Sequence, residues 1–585
     1  MSPPRTVGLA GLILFFFSAV SSQTQSPTPP PVDGTDVVKI STTLIQVDVT
    51  VKDKNGKVVT DLRPDEIEVY ANGEKQKISN FSFISNSPPG QAPAADMPIL
   101  PPTAIKPEKV RRTIALVVDD LTLSFESTAQ VRRALTKFVD EQMQDGDLVA
   151  IVRTGAGIGA LQSFTNDKRQ LYAAIERVRW NAVGAGGIGA FAPIEEITPV
   201  EDDAPPRPDM RTAEAFHREV EEYRESFFST GTLGAVNYVV RGMGDLPGRK
   251  SILLLSDGFR LFVQEHGIRT SSILKQRLFN LIDLANRASV VIYTMDARGL
   301  KYTGFTSQDD ATGRTPRQIA QVGADRGFEM FDTQEGLDYL AKETGGLSIK
   351  NNNDLSGGIR KILDDQSYYL VAYQPSGELF DPSASRFNKL EIKVTRPNTE
   401  LRYRSGFFGV VDHKLLNLSP VQTTEARMNY SLASPFAVND IPLRLNALFY
   451  KPPSSTATFV RSLVHVSGKD LTFTDQPGGG KKATFDVLAV AFGDNGTIID
   501  QLSKSYSVTV SKDNYDRAMD QGLVYEVTIP MKKAGAYQLR VALRDHGTDK
   551  IGSANQFIEV PDLKKNRLVL SGVMLENLPL DEWKR

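Results

Sequence analysis

The chain has 585 residues, with 68 Lys and Arg against 70 Asp and Glu, a formal net charge of −2, and 40% hydrophobic and 24% charged residues. At roughly 150 residues per domain that length calls for about four units, and the ordinary balance of apolar and charged residues excludes a mainly disordered chain and a polytopic membrane protein. A pI near 6.3 argues against a dedicated nucleic-acid binder, which needs a clustered excess of Lys and Arg to meet phosphates. The absence of cysteine removes disulfides, thiolate metal sites and cysteine nucleophiles. His217, His266, His413, His465 and His546 include no i, i+4 pair that would put two imidazoles on one helical face.

Residues 1–22 read as a secretory signal peptide: Arg5, an apolar run from Val7 to Val20, then Ala19, Ser21 and Ser22. The run is shorter than the roughly 20 residues of a spanning helix. A secreted or periplasmic protein with no stable membrane span after cleavage is expected. A linker, 23–37, precedes a small β domain over 38–85, where Ile45, Val47, Val49 and Val51 alternate and turns fall at Asp53-Lys54-Asn55-Gly56 and Asn72-Gly73. Prolines 88, 89, 93, 98, 101, 102 and 107 mark an extended spacer over 86–108.

Residues 109–411 change pattern. Continuous apolar runs at Thr113–Val118, Leu148–Val152, Lys250–Leu255 and Ser289–Tyr293 are separated by helical stretches, which predicts an α/β, doubly wound, mostly parallel sheet buried on both faces. Tyr368–Tyr373 extends this domain and a β tail follows over 389–408. The Gly- and Asp-rich insertions 181–208 and 298–333 read as mobile loops, and Ala213–Phe227 as an amphipathic helix. From 412 to 585 helical signals fade, and about seven short alternating runs predict an immunoglobulin-like β-sandwich and tail.

The first sheet strand runs into Asp119-Asp120-Leu121-Thr122-Leu123-Ser124. If the backbone stays extended, Asp120, Thr122 and Ser124 project to one side. One carboxylate and two hydroxyls suit a hard cation such as Mg²⁺, with Mn²⁺ or Ca²⁺ as alternatives. Ser229-Thr230-Gly231-Thr232 and Ser256-Asp257-Gly258 fall at comparable sheet ends, where ligands gather in open parallel sheets. Asp119 in the other register and Thr232 in place of Thr230 remain open, and the same Asp, Ser and Thr residues are ordinary helix caps.

This order of elements resembles the von Willebrand factor type A family, and within it a VWFA-related group best known from acidobacteria. The family's metal ion-dependent adhesion site reads Asp-x-Ser-x-Ser, then a Thr, then Asp-Gly after an apolar strand. The resemblance covers about Arg111 to Tyr373 and implies a metal site of Asp120, Thr122, Ser124, Thr230 and Asp257, with Thr122 standing where the family has Ser. It further implies Mg²⁺-dependent, non-enzymatic binding of a partner protein or surface, through an Asp or Glu side chain of that partner. The alternatives are a metal-independent envelope structural or assembly factor and a metal-assisted hydrolase, the latter lacking a visible general base.

Two lesser signals complete the reading. Gly155–Ala160 fits Gly-x-Gly-x-x-Ala, but a helix does not start at those glycines, so a turn is expected rather than a phosphate cradle. Asp296-Ala-Arg298-Gly299 ends another strand, as a rim residue or a strand-end salt bridge.

Overall fold

The computed structural model describes residues 44–85, 107–155, 163–191, 227–374, 387–408, 423–563 and 568–571, apart from single positions and short loops within them. The expected signal peptide, its linker, most of the Pro-rich spacer and nearly all of the helix expected at 213–227 lie outside these residues. The protein is mixed α/β with several sheets, one of them parallel.

The first strand, β1 (Ile45–Asp53), buries Val47, Val49 and Val51. At its end the Asp53 carboxylate accepts from the amides of Asn55 and Lys57 at 2.8 and 2.9 Å, closing the expected turn. Strands β2 (Ile67–Ala71) and β3 (Glu74–Gln76) are joined by Asn72-Gly73, both at positive φ, as a tight two-residue hairpin requires. Strand β4 (Ile78–Ile84) follows.

The central domain then runs β5 (Arg112–Val118), α1 (Phe125–Lys137), β6 (Asp147–Arg153), α2 (Lys168–Glu176), α3 (described over 227–243), β7 (Arg249–Ser256), a hairpin of β8 (Phe262–Glu265) and β9 (Ile268–Ser271), α4 (Ile273–Arg287), β10 (Val290–Asp296), α5 (Pro316–Glu343), β11 (Ser348–Ile349) and α6 (Leu355–Asp364). Its sheet has the order β11-β10-β7-β5-β6, with every pair parallel. Ile114, Leu116 and Val118 pack with Val131 of α1, Leu171 of α2 and Ile359 of α6. Ala115 and Val117 face the other way, against Val236 of α3, Leu278 of α4 and Leu337 of α5. Burial on both faces is why β5, β6, β7 and β10 read as unbroken apolar runs.

Part of the insertion expected as a mobile loop is ordered: α5 occupies 316–343. Thr315 accepts from the Gln318 amide while the Gln318 side chain caps the Thr315 amide, and Pro316 opens the helix. The loop before it is tied to the helix by the buried Arg326–Asp309 pair at 2.6 Å.

Strands β12 (Tyr368–Tyr373), β13 (Phe387–Val394), β14 (Thr399–Arg402) and β15 (Gly406–Phe408) return to the N-terminal strands. Their antiparallel sheets are β14-β1-β12-β4 and β15-β13-β2-β3, sharing a core of Val47, Val49, Val69, Tyr369, Val371 and Ile392. Residues 368–373, which the sequence reading gave to the α/β domain, thus pair antiparallel with the N-terminal strands and not with the parallel sheet. Tyr369, Val371 and Tyr373 are buried while Tyr368 and Leu370 are half-buried, which suits an antiparallel strand with one drier face.

Beyond 423 lie α7 (Thr424–Ala433), β16 (Leu443–Tyr450), β17 (Thr458–Val466), β18 (Phe473–Asp475), β19 (Lys481–Gly493), β20 (Ile498–Val510), α8 (Lys512–Gln521), β21 (Leu523–Met531), β22 (Gly535–Asp545) and β23 (Ile551–Val560). The antiparallel sheets β16-β17-β21 and β18-β19-β22-β23, with β20 also on β19, close over one core that includes Val460, Val464, Phe485, Val487 and Val541. Helices α7 and α8 were not expected. Among the described residues no helix is long and apolar enough to cross a membrane.

Candidate metal site at the sheet edge

Chain order reverses at β5, which has β6 on one side and β7 on the other. In open parallel sheets the crevice outside the carboxyl ends of such a strand pair collects ligands. Asp119 and Asp120 follow β5 there, and Ser256 and Asp257 lie at the end of β7. The Asp119 amide donates to the Leu255 carbonyl at 2.9 Å, locking the two strand ends together.

The backbone does not stay extended past β5. The amides of Thr122 and Leu123 both donate to the Asp119 carbonyl, at 3.1 and 2.9 Å, so residues 119–123 wind into a turn. The alternation invoked to align Asp120, Thr122 and Ser124 is thereby corrected, and each of the three finds a different partner.

Asp119 is the hub. It is fully buried, and its Oδ2 accepts from the hydroxyls of Thr122 at 2.5 Å and Ser256 at 2.7 Å. Its Oδ1 accepts from Thr232 at 2.6 Å and Thr154 at 3.0 Å. Burial raises its pKa, and the four hydroxyls pull the other way. Asp120, also buried, accepts from the Gly155 amide at 2.7 Å and the Thr154 hydroxyl at 3.3 Å, with an Arg153 nitrogen 3.7 Å away; burial raises its pKa too. Thr154 thus bridges the two carboxylates, a residue the sequence reading did not name.

Ser124 caps α1, accepting from the Ser127 amide at 3.2 Å, so the ordinary capping role is real. Its own amide donates to Asp257 Oδ2 at 2.8 Å, which connects the ends of β5 and β7 a second time. Burial pushes the Asp257 carboxyl up to about 6 against the Ser124 amide, the Arg298 charge and the Ser127 hydroxyl, which pull it down, and no hydrogen bond of good geometry reaches its buried Oδ1. Gly258 is obligatory beside it: φ is +97°, and a Cβ would lie 2.5 Å from the Thr333 carbonyl oxygen.

Thr230 and Thr232 both lie on α3, and residues two apart face different sides of a helix. The structure brings Thr232 to Asp119, while no hydrogen bond links Thr230 to this cluster. Ser229, one turn before Thr232, is fully buried and its Oγ has no partner. Asp296 is held by Arg298 at 2.9 Å and by Gln334 at 2.7 Å, the strand-end salt bridge. Of the Gly155–Ala160 segment, only Gly155 is described.

No group of three His, Cys, Asp or Glu side chains suited to a metal occurs among the described residues. A cation here would take hydroxyls as well as carboxylates. The donor set is oxygen-only, as Mg²⁺ or Ca²⁺ requires, and the buried unpartnered Asp257 Oδ1 is the kind of atom a cation satisfies. The residues fit a hard divalent ion.

No family model matches the chain, and no curated protein matches it significantly. Among solved structures, a Bacteroides uniformis β-glucuronidase is similar over 34% of this chain and 19% of its own, at 13% identity and a TM-score of 0.13. A Northeast Structural Genomics Consortium target, SoR45, is similar over 24% of this chain and 98% of its own, at 10% identity and a TM-score of 0.13. A Bifidobacterium adolescentis GH3 β-glucosidase is similar over 80% of this chain and 51% of its own, at 11% identity and a TM-score of 0.12. The match thus spans about a fifth of the β-glucuronidase, and at these scores none of the three likenesses bears on fold or activity.

Proposed function

We propose that the chain is an exported modular binding protein whose central domain, of von Willebrand factor type A kind, holds a divalent cation at the β5/β7 edge and through it contacts a partner protein or surface. The C-terminal double sheet, of immunoglobulin-like kind in this reading, and the N-terminal strands position that domain. The observation that carries the reading is the buried, unpartnered Oδ1 of Asp257 beside a turn rich in hydroxyl groups. Asp119, Thr122, Thr232 and Asp257 would hold the ion, with Asp120 and Ser124 flanking them and Thr232 taking the role first given to Thr230. Bound there, the ion supplies an electrophilic site for a partner carboxylate. The chain's own residues fix the oxygens in place and keep the carboxylates buried.

Isothermal titration of the full-length protein with Mg²⁺ and Mn²⁺, beside Asp257→Ala, tests this. The reading requires saturable binding by the wild type and its loss in the variant. A second reading, a metal-independent envelope structural factor, is favoured by one fact: Asp119 already receives four hydroxyls. Its partners would survive EDTA in a pull-down, whereas those of the first reading would not.

A further inference from the structure

A second polar site lies at the start of β7, the opposite end of that strand from the Asp119 cluster, where β1 and the turn between β14 and β15 meet the central domain. A cavity of about 30 Å³ there is lined by Gln46, Asp48, Arg249, Asn286, Ser289 and Arg404, among others. A single water needs roughly 10–15 Å³ by the same measure, so the space suits a monatomic ion or a pair of waters.

The lining carries unspent donors. Arg249 Nε and Nη1 and Arg404 Nε are buried and have no hydrogen-bond partner. Arg404 spends its other nitrogens on the carbonyls of Asn286 and Gln46, at 2.6 and 2.7 Å, which aligns the guanidinium across the junction. Arg249 stacks 3.9 Å over the Tyr368 ring, and its Nη1 stands 3.8 Å from Asp48, beyond hydrogen-bond reach. Neighbouring charge does not cancel this excess: Asp283 pairs with Arg287, and Lys250 adds a further cation. Two guanidiniums against one carboxylate leave the cavity net positive, and buried donors left unsatisfied call for a water or an ion.

We propose that this cavity binds one halide ion, chloride in a natural medium, between Arg249 and Arg404. The ion ties the N-terminal strands to the parallel-sheet domain, with contributions from β1 and the β14–β15 turn on one side and β7 and α4 on the other. The site is independent of the divalent-ion reading.

The probe is bromide. Crystals of the full-length protein grown in NaBr should show an anomalous peak between Arg249 and Arg404. In solution, NaBr or NaCl should raise the melting temperature above that in sodium gluconate of equal ionic strength. Asp48→Asn removes the competing carboxylate, and half of the halide effect should then be reached at a salt concentration at least threefold lower. Arg404→Gln should abolish the halide-specific shift, and Asp48→Asn keeps the proposal testable if that variant fails to fold. Water alone in the cavity in NaBr, equal melting temperatures in gluconate and halide, or an unchanged midpoint in Asp48→Asn would each overturn the proposal.

Discussion

Asp257→Asn isolates the electrostatic cost of the sheet-edge site. The carboxyl moves from an ordinary 3.8 to about 6 because burial disfavours its charged form. A folded-state pKa above the unfolded one means that the native state holds the proton more tightly. The stability this contributes is complete below pH 4 and lost as pH rises through 6. A shift of about two units corresponds to about 3 kcal/mol. Asn keeps the acceptor for the Ser124 amide, now at 2.8 Å, removes the charge and puts an NH2 group in place of the other oxygen. In EDTA, Asp257→Asn should therefore gain up to about 3 kcal/mol over the wild type at pH 8 and nothing at pH 4. Urea denaturation across that range measures the difference. Millimolar Mg²⁺ at pH 8 should close the gap by stabilising the wild type alone. If the two proteins kept the same stability difference at both pH values, the reasoning about Asp257 would be refuted.

Asp119→Ala removes the acceptor shared by four hydroxyls, leaving them only the longer contacts to Asp120, Phe228 and each other, and should cost about 3–5 kcal/mol with or without metal, read by urea denaturation; a cost under about 1 kcal/mol would contradict its place as hub. Thr232→Val should weaken Mg²⁺ binding at least tenfold in titration calorimetry while Thr230→Val leaves it unchanged, and the reverse pattern would restore the register first read from sequence. Arg298→Ala leaves Asp296 buried with Gln334 as its remaining side-chain donor, and should destabilise the protein by about 3–5 kcal/mol. A melting temperature within a degree of wild type would contradict that.

Much of the central domain was legible because its strands are buried on both faces. The runs at 113–118, 148–152, 250–255 and 289–293 could hardly be anything but interior strands, and Asn72-Gly73 announced its hairpin. The partner of Tyr368–Tyr373 was not legible, since pairing with Ile45–Asp53 joins residues more than 300 positions apart and no local signal encodes that register. At the site, Asp257-Gly258 was readable from its position after β7. Asp119 stood only as the alternative register because extended geometry was carried past Val118, where the backbone turns. Helical phase held the correction to Thr230: Thr232 aligns with Val236 and Val240 at four-residue spacing and with Ser229 three residues before, which marks the inward face of α3.

Crystals of the full-length protein grown with MnCl₂ and measured at the manganese edge test the central claim most directly. The account predicts one anomalous peak within coordination distance of Asp257 and the Asp119 hydroxyl cluster. An empty sheet edge at saturating Mn²⁺, with Asp119 still holding all four hydroxyls, would contradict it.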